Sequence, residues 1–563
     1  MKNRNPVARR QLGSTPLIAL CLLLAACGSP TGPTPPALPG TPLGLSISTD
    51  GNGNSTLSWS SVSEADSYKV YHSSDGIAAY SEVSSTTGIS YLLPFYGWYK
   101  VSAVNEAGEG AKSAGVERAV PAAPSGKAAT PDFSVAAGTY DETQSVAITC
   151  ATGGSTIYYT TDGSTPVVGT SAVYSAAISV DPGDTRTITA VAAAAGYSNS
   201  DAAVGTFHVR TWEVVGSAGF SGGEVFEPSI DLGPDGSPYV GYRDGSVVNK
   251  ATVMRFNGSS WAALGGTGVS AAGAYDTSLV VDSQGAVYLS YYDASVSAKV
   301  TVRKYSAGAW TTLGGAGISG GEALFPSLAV HESGSTRIPY IAYQDGATDP
   351  PAKATVLKYS GASWEAVGTA GFSPGTIEGT SLAIGSDGAL YLAFKDGSTA
   401  TRGSSVMKWG GASWSLVGTS GFSSGEITSI SLAFDGGGAP VVAFSGGSAN
   451  PTLRATVMRW DGADWNIVGG SPVSSGAADF VSLTVAADGA LFVVFKDAGT
   501  IPAGKATAVE YDGLSWKTLG TPGFSAGVAN GLKTAIDSVG DLYVVFRDGN
   551  TVPADKATVM AWR

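Results

Sequence analysis

Residues 353–368, KATVLKYSGASWEAVG, are one copy of a pattern that recurs through residues 211–563. In this copy a strand ends in an aromatic residue, and Trp364 with a second apolar run follows five positions later. The repeated tryptophans are Trp212, Trp261, Trp310, Trp364, Trp414, Trp465 and Trp516. Their spacings are 49, 49, 54, 50, 51 and 51 residues. Self-similarity at a period near 50 predicts a repeat architecture.

Each copy offers four short strands. The first two resemble Thr277–Val281 and Ala389–Phe394, and Asp-Gly turns such as Ser386-Asp387-Gly388 join them. Four strands per copy of about 50 residues are typical of a β-propeller blade. We expect the innermost strands to start near Ser229, Ser278, Ser327, Ser381, Ser431, Ser482 and Lys533. The repeat therefore predicts a propeller of seven blades.

The two ends of the repeat region complement each other. The last copy has Trp562 at the aromatic position, but no Trp-containing strand follows it. A strand of this kind, Thr211–Val215, precedes the first copy. The sequence predicts a 3+1 ring closure, which would leave no exposed sheet edge.

Composition agrees with an all-β protein of several domains. The 563 residues are 43% apolar and 14% charged, with 77 Gly and 28 Pro, which excludes bulk disorder and favours strands joined by tight turns. A net charge of −13 argues against nucleic-acid binding, which needs clustered bases. With only three His, no cofactor and no metal are expected. We predict two β-sandwich domains followed by a seven-bladed β-propeller with 3+1 closure.

The N-terminus has the pattern of an export signal. Four basic residues precede a short apolar run, and the stretch ends Leu24-Ala-Ala-Cys27-Gly28. This ending resembles the lipobox of bacterial lipoproteins. The resemblance implies a signal peptide over 1–26, lipidation of Cys27 and a membrane anchor in the bacterial cell envelope, with Gly28 favouring the outer membrane or cell surface. Removing the leader, which holds four bases and no acid, would change the net charge from −13 to −17. A Pro-rich tether is expected up to residue 43.

Residues 44–122 contain alternating apolar runs. They include Leu57-Ser-Trp59, Tyr68-Lys-Val-Tyr71 and Tyr99-Lys-Val-Ser-Ala-Val-Asn105, the last followed by a glycine-rich turn. These stretches resemble a fibronectin type III domain. The resemblance implies a seven-stranded sandwich that serves mostly as a spacer, with adhesion as the alternative.

Residues 128–210 form the next predicted unit. Its most specific string is Ile157-Tyr-Tyr-Thr-Thr-Asp-Gly-Ser-Thr-Pro166, and a strand over 145–150 would bury Cys150 as a small hydrophobe. The string resembles the C-terminal β-sandwich module of chitobiases and β-hexosaminidases. That module accompanies a catalytic domain which has no counterpart here, so the resemblance implies no hydrolysis.

A polar pair recurs at the hairpin between the second and third strands of each blade. The second strands end in Asp244, Asp293, Asp345, Asp396, Asp497 and Asp548, with Gly446 in the fifth blade. The third strands begin at Lys250, Lys299, Lys353, Arg402, Arg454, Lys505 and Lys556. The pairs are interpreted as intra-hairpin ion pairs and turn caps. The alternatives are a ring of ligand sites with carboxylates that accept sugar hydroxyls, or calcium binding, for which the spacing supplies few oxygens.

The loops between blades carry a second recurring feature. Gly-Phe-Ser occurs around Phe220, Phe372, Phe422 and Phe524, with Val269, Ile318 and Val473 in the other copies. We expect these residues and the repeated tryptophans to fill the seams between blades.

The expected function is binding. No catalytic motif is found, so we expect a non-enzymatic envelope lipoprotein whose propeller binds glycans or a protein partner. The alternatives are a propeller-type glycosidase or lyase and a scaffold within an envelope complex.

Overall fold

The computed structural model describes residues 35–51, 53–121, 125–350, 352–423, 425–446 and 453–563. The predicted leader and Cys27 lie outside these residues. The chain divides into two compact units, Met1–Ser125 and Gly126–Arg563. Strands dominate both units, which confirms the all-β fold. No helix in the described part of the chain is long and apolar enough to cross a membrane.

The first unit is a β-sandwich. One sheet has the order β1–β2–β5; the other is β4–β3–β6–β7, with β8 paired to β6. Trp59, Tyr68 and Tyr99 fill the core between them. The Tyr99 hydroxyl donates to the Phe95 carbonyl at 2.7 Å, as in the tyrosine corner of immunoglobulin-like sandwiches. The strands are β1 (Ser46–Thr49), β2 (Ser55–Ser58), β3 (Ser67–Ser73), β4 (Ser81–Thr86), β5 (Ser90–Leu92), β6 (Gly97–Asn105), β7 (Gly108–Glu109) and β8 (Val116–Arg118).

The second unit opens with another sandwich. Its sheets are β10–β17–β16–β13–β14, β11–β15 and β12–β9. The strands are β9 (Asp132–Phe133), β10 (Gly138–Tyr140), β11 (Gln144–Val146), β12 (Ile148–Thr149), β13 (Thr156–Thr160), β14 (Ala172–Val173), β15 (Ile178–Val180), β16 (Thr185–Ala193) and β17 (Ala203–Val209).

The expected strand over 145–150 is wrong in detail. It is split between β11 and β12, which pair with different partners, and it ends at Thr149 because β9 offers only two residues to pair with. Cys150 therefore lies beyond the strand, half-buried, with its thiol 3.2 Å from the Ala129 carbonyl oxygen.

The rest of the second unit is a seven-bladed β-propeller. Each blade is an antiparallel sheet of four strands in sequence order, except the last. The first four blades contain β19 (Val225–Leu232), β20 (Pro238–Asp244), β21 (Lys250–Phe256), β22 (Trp261–Ala263); β23 (Ala274–Val281), β24 (Val287–Asp293), β25 (Lys299–Ser306), β26 (Ala309–Thr312); β27 (Ala323–Ser333), β28 (Thr336–Asp345), β29 (Lys353–Tyr359), β30 (Trp364–Ala366); and β31 (Ile377–Ile384), β32 (Leu390–Asp396), β33 (Ser404–Trp409), β34 (Trp414–Leu416).

The fifth to seventh blades follow the same plan. Short 3-10 turns lie at Gly245–Val247 in the first blade, at Ala294–Val296 in the second, and at Val468–Gly470 after the outer strand of the fifth. The last three blades contain β35 (Ile427–Phe434), β36 (Pro440–Gly446), β37 (Ala455–Trp460), β38 (Trp465–Ile467); β39 (Ala478–Val485), β40 (Leu491–Asp497), β41 (Lys505–Tyr511), β42 (Trp516–Thr518); and β43 (Ala529–Ile536), β44 (Leu542–Asp548), β45 (Lys556–Trp562), with β18 (Trp212–Val214) as the outer strand of the seventh.

The seventh blade closes the ring as predicted. It has three strands from the C-terminal end of the repeat region and one strand from its N-terminal end. Trp212 pairs with Trp562 and Val214 with Met560. Asp141 of the second sandwich accepts hydrogen bonds from the Trp562 indole at 3.3 Å and from Arg210 at 2.8 Å. The closing strand is thus joined to the domain that precedes the propeller.

The innermost strands begin four residues earlier than expected, for example at Val225 instead of Ser229. Each contains a β-bulge, at which the pairing with the second strand shifts by one residue. The bulge breaks the period-2 alternation, so the residues before it have no strand signature in the sequence.

The repeated tryptophans join adjacent blades. Each indole N–H donates to a backbone carbonyl at the end of the outer strand of the preceding blade, at 2.7–3.0 Å. Each indole also lies against a glycine in the left-handed region; a Cβ on Gly265, for instance, would lie 2.7 Å from the Trp310 ring. Glycine is needed here because both the dihedral angles and the close approach exclude a side chain.

The Gly-Phe-Ser loops fill the same seams. Phe220, Phe372, Phe422 and Phe524 stack on the blade tryptophans at centroid distances of 3.7–4.3 Å. The aliphatic replacements Val269, Ile318 and Val473 pack against the same core clusters as the corresponding tryptophans. The aromatic repeats are therefore part of the packing between blades.

We predict that Trp310→Phe, which keeps the ring but removes the N–H that binds the Leu264 carbonyl, lowers the free energy of unfolding by about 1–2 kcal/mol. Urea denaturation followed by tryptophan fluorescence measures this change. Leu514→Ala, at a side chain that is 87% exposed, is the control and should have no measurable effect. Equal stability of Trp310→Phe and the native chain would contradict the seam interpretation.

Candidate functional site

The predicted aspartates lie at one face of the propeller, but their side chains are turned into the hairpins. They are 0–5% exposed. One carboxylate oxygen accepts the backbone N–H two residues ahead at 2.8–2.9 Å. The other accepts a hydroxyl of the third strand at 2.6–2.9 Å, from Thr252, Thr301, Thr355, Ser405, Thr507 or Thr558. These contacts support the turn-capping role.

The predicted bases take no part in this network. Among the described residues no ion pair joins a ring aspartate to the base opposite it, so the contacts do not support the ion-pair part of the interpretation. Arg402 lies in the turn before its strand and pairs with Glu378 instead. In the blade without the aspartate, a Cβ on Gly446 would lie 2.2 Å from the Glu426 carbonyl oxygen, so no aspartate fits there.

Two small cavities border the predicted ring. Asp345 and Lys353 line one of about 410 Å³, and Asp548 and Lys556 line the equivalent one of about 390 Å³. The ring as a ligand site stays a prediction. Within the described parts of the chain no three His, Cys, Asp or Glu residues are grouped closely enough to hold a metal ion.

A different group of residues meets at the propeller axis. The β-bulges bring one residue per innermost strand to the axial end of the blades: Glu227, Asp276, Phe325, Gly379, Thr428, Phe480 and Gly531. Except for Thr428, these residues have positive φ angles, between 42° and 63°. Bulges re-aim side chains and are frequent beside functional sites.

These residues and their neighbours enclose a cavity of about 360 Å³, which we call the axial cavity. Phe325 and Phe480 expose 38% and 37% of their surface at its rim. Charged side chains that line it include Glu227, Asp276 and Lys395. The cavity thus combines open aromatic faces with groups that donate or accept hydrogen bonds.

The residues that directly precede the ring aspartates, or Gly446 in the fifth blade, differ from blade to blade, and one of them, Lys395, lines the axial cavity. They are Arg243, Tyr292, Gln344, Lys395, Ser445, Lys496 and Arg547. Arg243 binds Glu227 through two hydrogen bonds of 2.8 and 3.0 Å. Its guanidinium also lies 3.9 Å from the Phe226 ring centroid and 4.6 Å from that of Tyr275. These contacts hold the arginine in one orientation.

The carboxyl groups at the rim are in a low-dielectric environment. Burial raises the pKa of Glu227, and the hydrogen bonds from Arg243 partly offset this shift. Burial also raises the pKa of Asp276, which accepts the Phe325 N–H at 3.3 Å. Lys395 bridges Glu378 at 2.9 Å and Glu426 at 2.8 Å on the opposite side of the rim.

The axial residues share no pattern among the copies, so the repeat did not predict them. The aspartates recur in six blades because they cap the hairpins. The position before them instead varies among Arg, Tyr, Gln, Lys and Ser. This variation beside a recurring aspartate is a signal in the sequence, since no common packing requirement explains it.

The fold and the axial cavity define a multidomain β-propeller protein with one polar and aromatic site on the axis. The family model of the chitobiase/beta-hexosaminidase C-terminal domain matches residues 135–205, which confirms the resemblance of the second sandwich. A comparison with curated protein sequences finds no match.

Solved structures with a similar fold include three carbohydrate-related proteins. A polysaccharide lyase, an ulvan lyase, is 12% identical with a TM-score of 0.39 over 61% of this chain and 94% of its own. The Aleuria aurantia lectin is 14% identical with a TM-score of 0.35, over 55% and 100%. An arabinofuranosidase from Fusarium graminearum is 11% identical with a TM-score of 0.35, over 63% and 97%. At these identities the similarity concerns architecture alone.

We predict that Asp396→Ala lowers the free energy of unfolding by about 2–3 kcal/mol, because it leaves the Ser398 N–H and the buried Ser405 hydroxyl without their acceptor. Thermal unfolding measures the loss. The control Asp387→Ala removes a half-exposed carboxylate 3.0 Å from Lys408 and should cost about 0–1 kcal/mol. Lost ligand binding at unchanged stability would instead favour the ring of ligand sites.

Proposed function

We propose that the propeller binds a glycan in the axial cavity without hydrolysing it. The observation that carries the proposal is the exposure of Phe325 and Phe480 in a cavity whose lining combines charged and hydroxyl side chains with aliphatic ones. A sugar ring presents an apolar face and a rim of hydroxyls, so it needs an aromatic surface flanked by hydrogen-bonding groups. A cavity of about 360 Å³ lies within the size range of small-ligand sites.

The rim offers both kinds of hydrogen-bonding partner. The carboxylates of Glu227 and Glu378 are acceptors, and the Lys395 ammonium is a donor. Their mutual contacts orient them before a ligand arrives, which lowers the entropic cost of binding.

A second candidate function is glycan hydrolysis at the same cavity. Glu227 and Asp276 lie on adjacent blades, and burial raises the pKa of both. A carboxyl with a raised pKa can act as a general acid, and glycosidases use paired carboxyl groups. The two hydrogen bonds from Arg243 favour the ionised, non-acidic form of Glu227, so we prefer binding.

We predict that Phe480→Ala weakens glycan binding about 3- to 10-fold, because it removes an exposed ring from the cavity. A glycan array identifies a bound glycan, and isothermal titration of the native chain and the variant then measures the affinity. Phe95→Ala, at an exposed ring of the first sandwich, is the control and should bind normally.

The same glycans distinguish the two candidate functions. Binding without product release supports the lectin-like reading of the cavity. Release of shorter sugars by the native chain, lost in Asp276→Asn, would overturn it in favour of hydrolysis.

We also propose that the protein is a lipid-anchored envelope protein and that its two sandwiches act as spacers. Support for the anchor is the string Leu24-Ala-Ala-Cys27 after a basic and apolar leader. Support for a fibronectin type III module in the first unit is its two-sheet sandwich with the Tyr99 corner.

We predict that Cys27→Ser releases the protein from the membrane fraction, because no thiol remains there for a diacylglyceryl group, and acyl chains supply the membrane affinity. Fractionation of the expressing bacteria followed by immunoblotting measures the distribution. Cys21→Ser, which changes the cysteine within the predicted leader, should stay membrane-bound. Membrane retention of Cys27→Ser would disprove the anchor.

A further inference from the structure

One residue of the axial cavity departs from a rule that the other blades follow. Just past the bulge, the innermost strands carry a serine, and the seventh blade carries Lys533. Five of the six serine hydroxyls accept the backbone N–H of the next blade at 2.9–3.1 Å, in the pairs Ser278–Leu328, Ser327–Leu382, Ser381–Leu432, Ser431–Leu483 and Ser482–Thr534. The sixth, Ser229, donates to the Gly241 carbonyl of its own blade at 3.3 Å. A lysine cannot accept a hydrogen bond, so Lys533 gives up this contact to the first blade.

Lys533 has no compensating partner. Its side chain lines the axial cavity and is exposed to solvent there. No ion pair or side-chain hydrogen bond joins it to any other described residue. Desolvation alone lowers its pKa, and no nearby carboxylate counters that shift. The ammonium is thus an uncompensated positive charge at the axis.

The surrounding charges are distributed unevenly. Glu227 and Asp276 lie on the first and second blades. On the sixth and seventh blades, Lys496 donates to the neutral Asn530 side chain at 2.6 Å and lies 5.7 Å from the Phe480 ring centroid. Neither Lys496 nor Lys533 has an ion-pair partner among the described residues.

We propose that Lys533 binds an anionic group, a carboxylate or a sulfate, of the ligand that enters the axial cavity. An anion at this point supplies the counter-charge that the protein lacks. The inference deepens the proposed glycan binding and rests on it, because it selects acidic over neutral saccharides. The residue acts by direct contact with the ligand and has no role in the stability of the seam.

The experiment measures affinity by titration calorimetry with tri-galacturonate, its neutral methyl ester, a sulfated galactose disaccharide and the unsulfated disaccharide. Lys533→Ser restores the residue of the other blades, Lys533→Arg keeps the charge, and Lys517→Ser is the surface control. We expect Lys533→Ser to weaken binding of an acidic saccharide at least tenfold, with Lys533→Arg and Lys517→Ser close to the native chain. The acidic saccharide that loses affinity identifies the group. Equal acidic binding by Lys533→Ser and the native chain would overturn the inference and leave glycan binding intact.

A second readout needs no glycan. Reductive methylation with ¹³C labels the lysines, and the signal absent from Lys533→Ser is that of Lys533. We expect sodium acetate or sodium sulfate to move it, while sodium chloride at matched ionic strength does not. Movement without any saccharide binding would support the anion site and disprove the glycan proposal. An unmoved signal would overturn the anion site.

The thermal unfolding temperature of Lys533→Ser should be no lower than that of the native chain, since the serine hydroxyl offers the Ile230 N–H an acceptor.

Discussion

The hydrogen bond from each blade tryptophan to a carbonyl of the preceding blade is the contact on which the propeller depends. A four-stranded blade has two apolar faces and cannot bury them alone, so each blade is stable only against its neighbours. The indole fixes the distance between blades at its outer edge, and the left-handed glycine beneath it leaves room for the ring. Because the last of these bonds runs from Trp212 to the Leu519 carbonyl, closure involves both ends of the repeat region.

Packing between blades constrains which residues can occupy the outer parts of the blades. It places no such constraint on the residues at the propeller axis. The outer strands, the Gly-Phe-Ser loops and the aspartate caps serve packing and turn formation, so they recur with little change. The β-bulge interrupts this regularity only where the innermost strands approach the axis. There the residues range from Glu227 to Phe480 and Gly531, and each contributes different chemistry to one shared cavity. Regular packing between the blades thus holds a site whose residues differ from blade to blade.

The repeat made the architecture predictable. Tryptophan spacing and aromatic pairing are local patterns, and they correctly predicted the seven blades and the 3+1 closure. The start of the innermost strands was not predictable, because residues such as Glu227 and Pro228 at the bulge resemble a loop. The aspartates recur because hairpins need caps, and the same recurrence made them look like a ring of sites. The axial cavity forms between residues that are far apart in sequence, and local sequence patterns do not predict which distant residues come together.

A chain built of repeats provides its own reference for separating stability from function. Where nearly all copies agree, the shared residue satisfies a structural need common to those blades, as Asp396 does when it caps its hairpin. Where one copy differs and thereby loses a hydrogen bond, the difference has no benefit for the fold. Lys533 is such a case, since it replaces an acceptor with a charge inside a confined cavity. A residue that costs the fold a contact and lines the axial cavity is best explained by what that cavity binds.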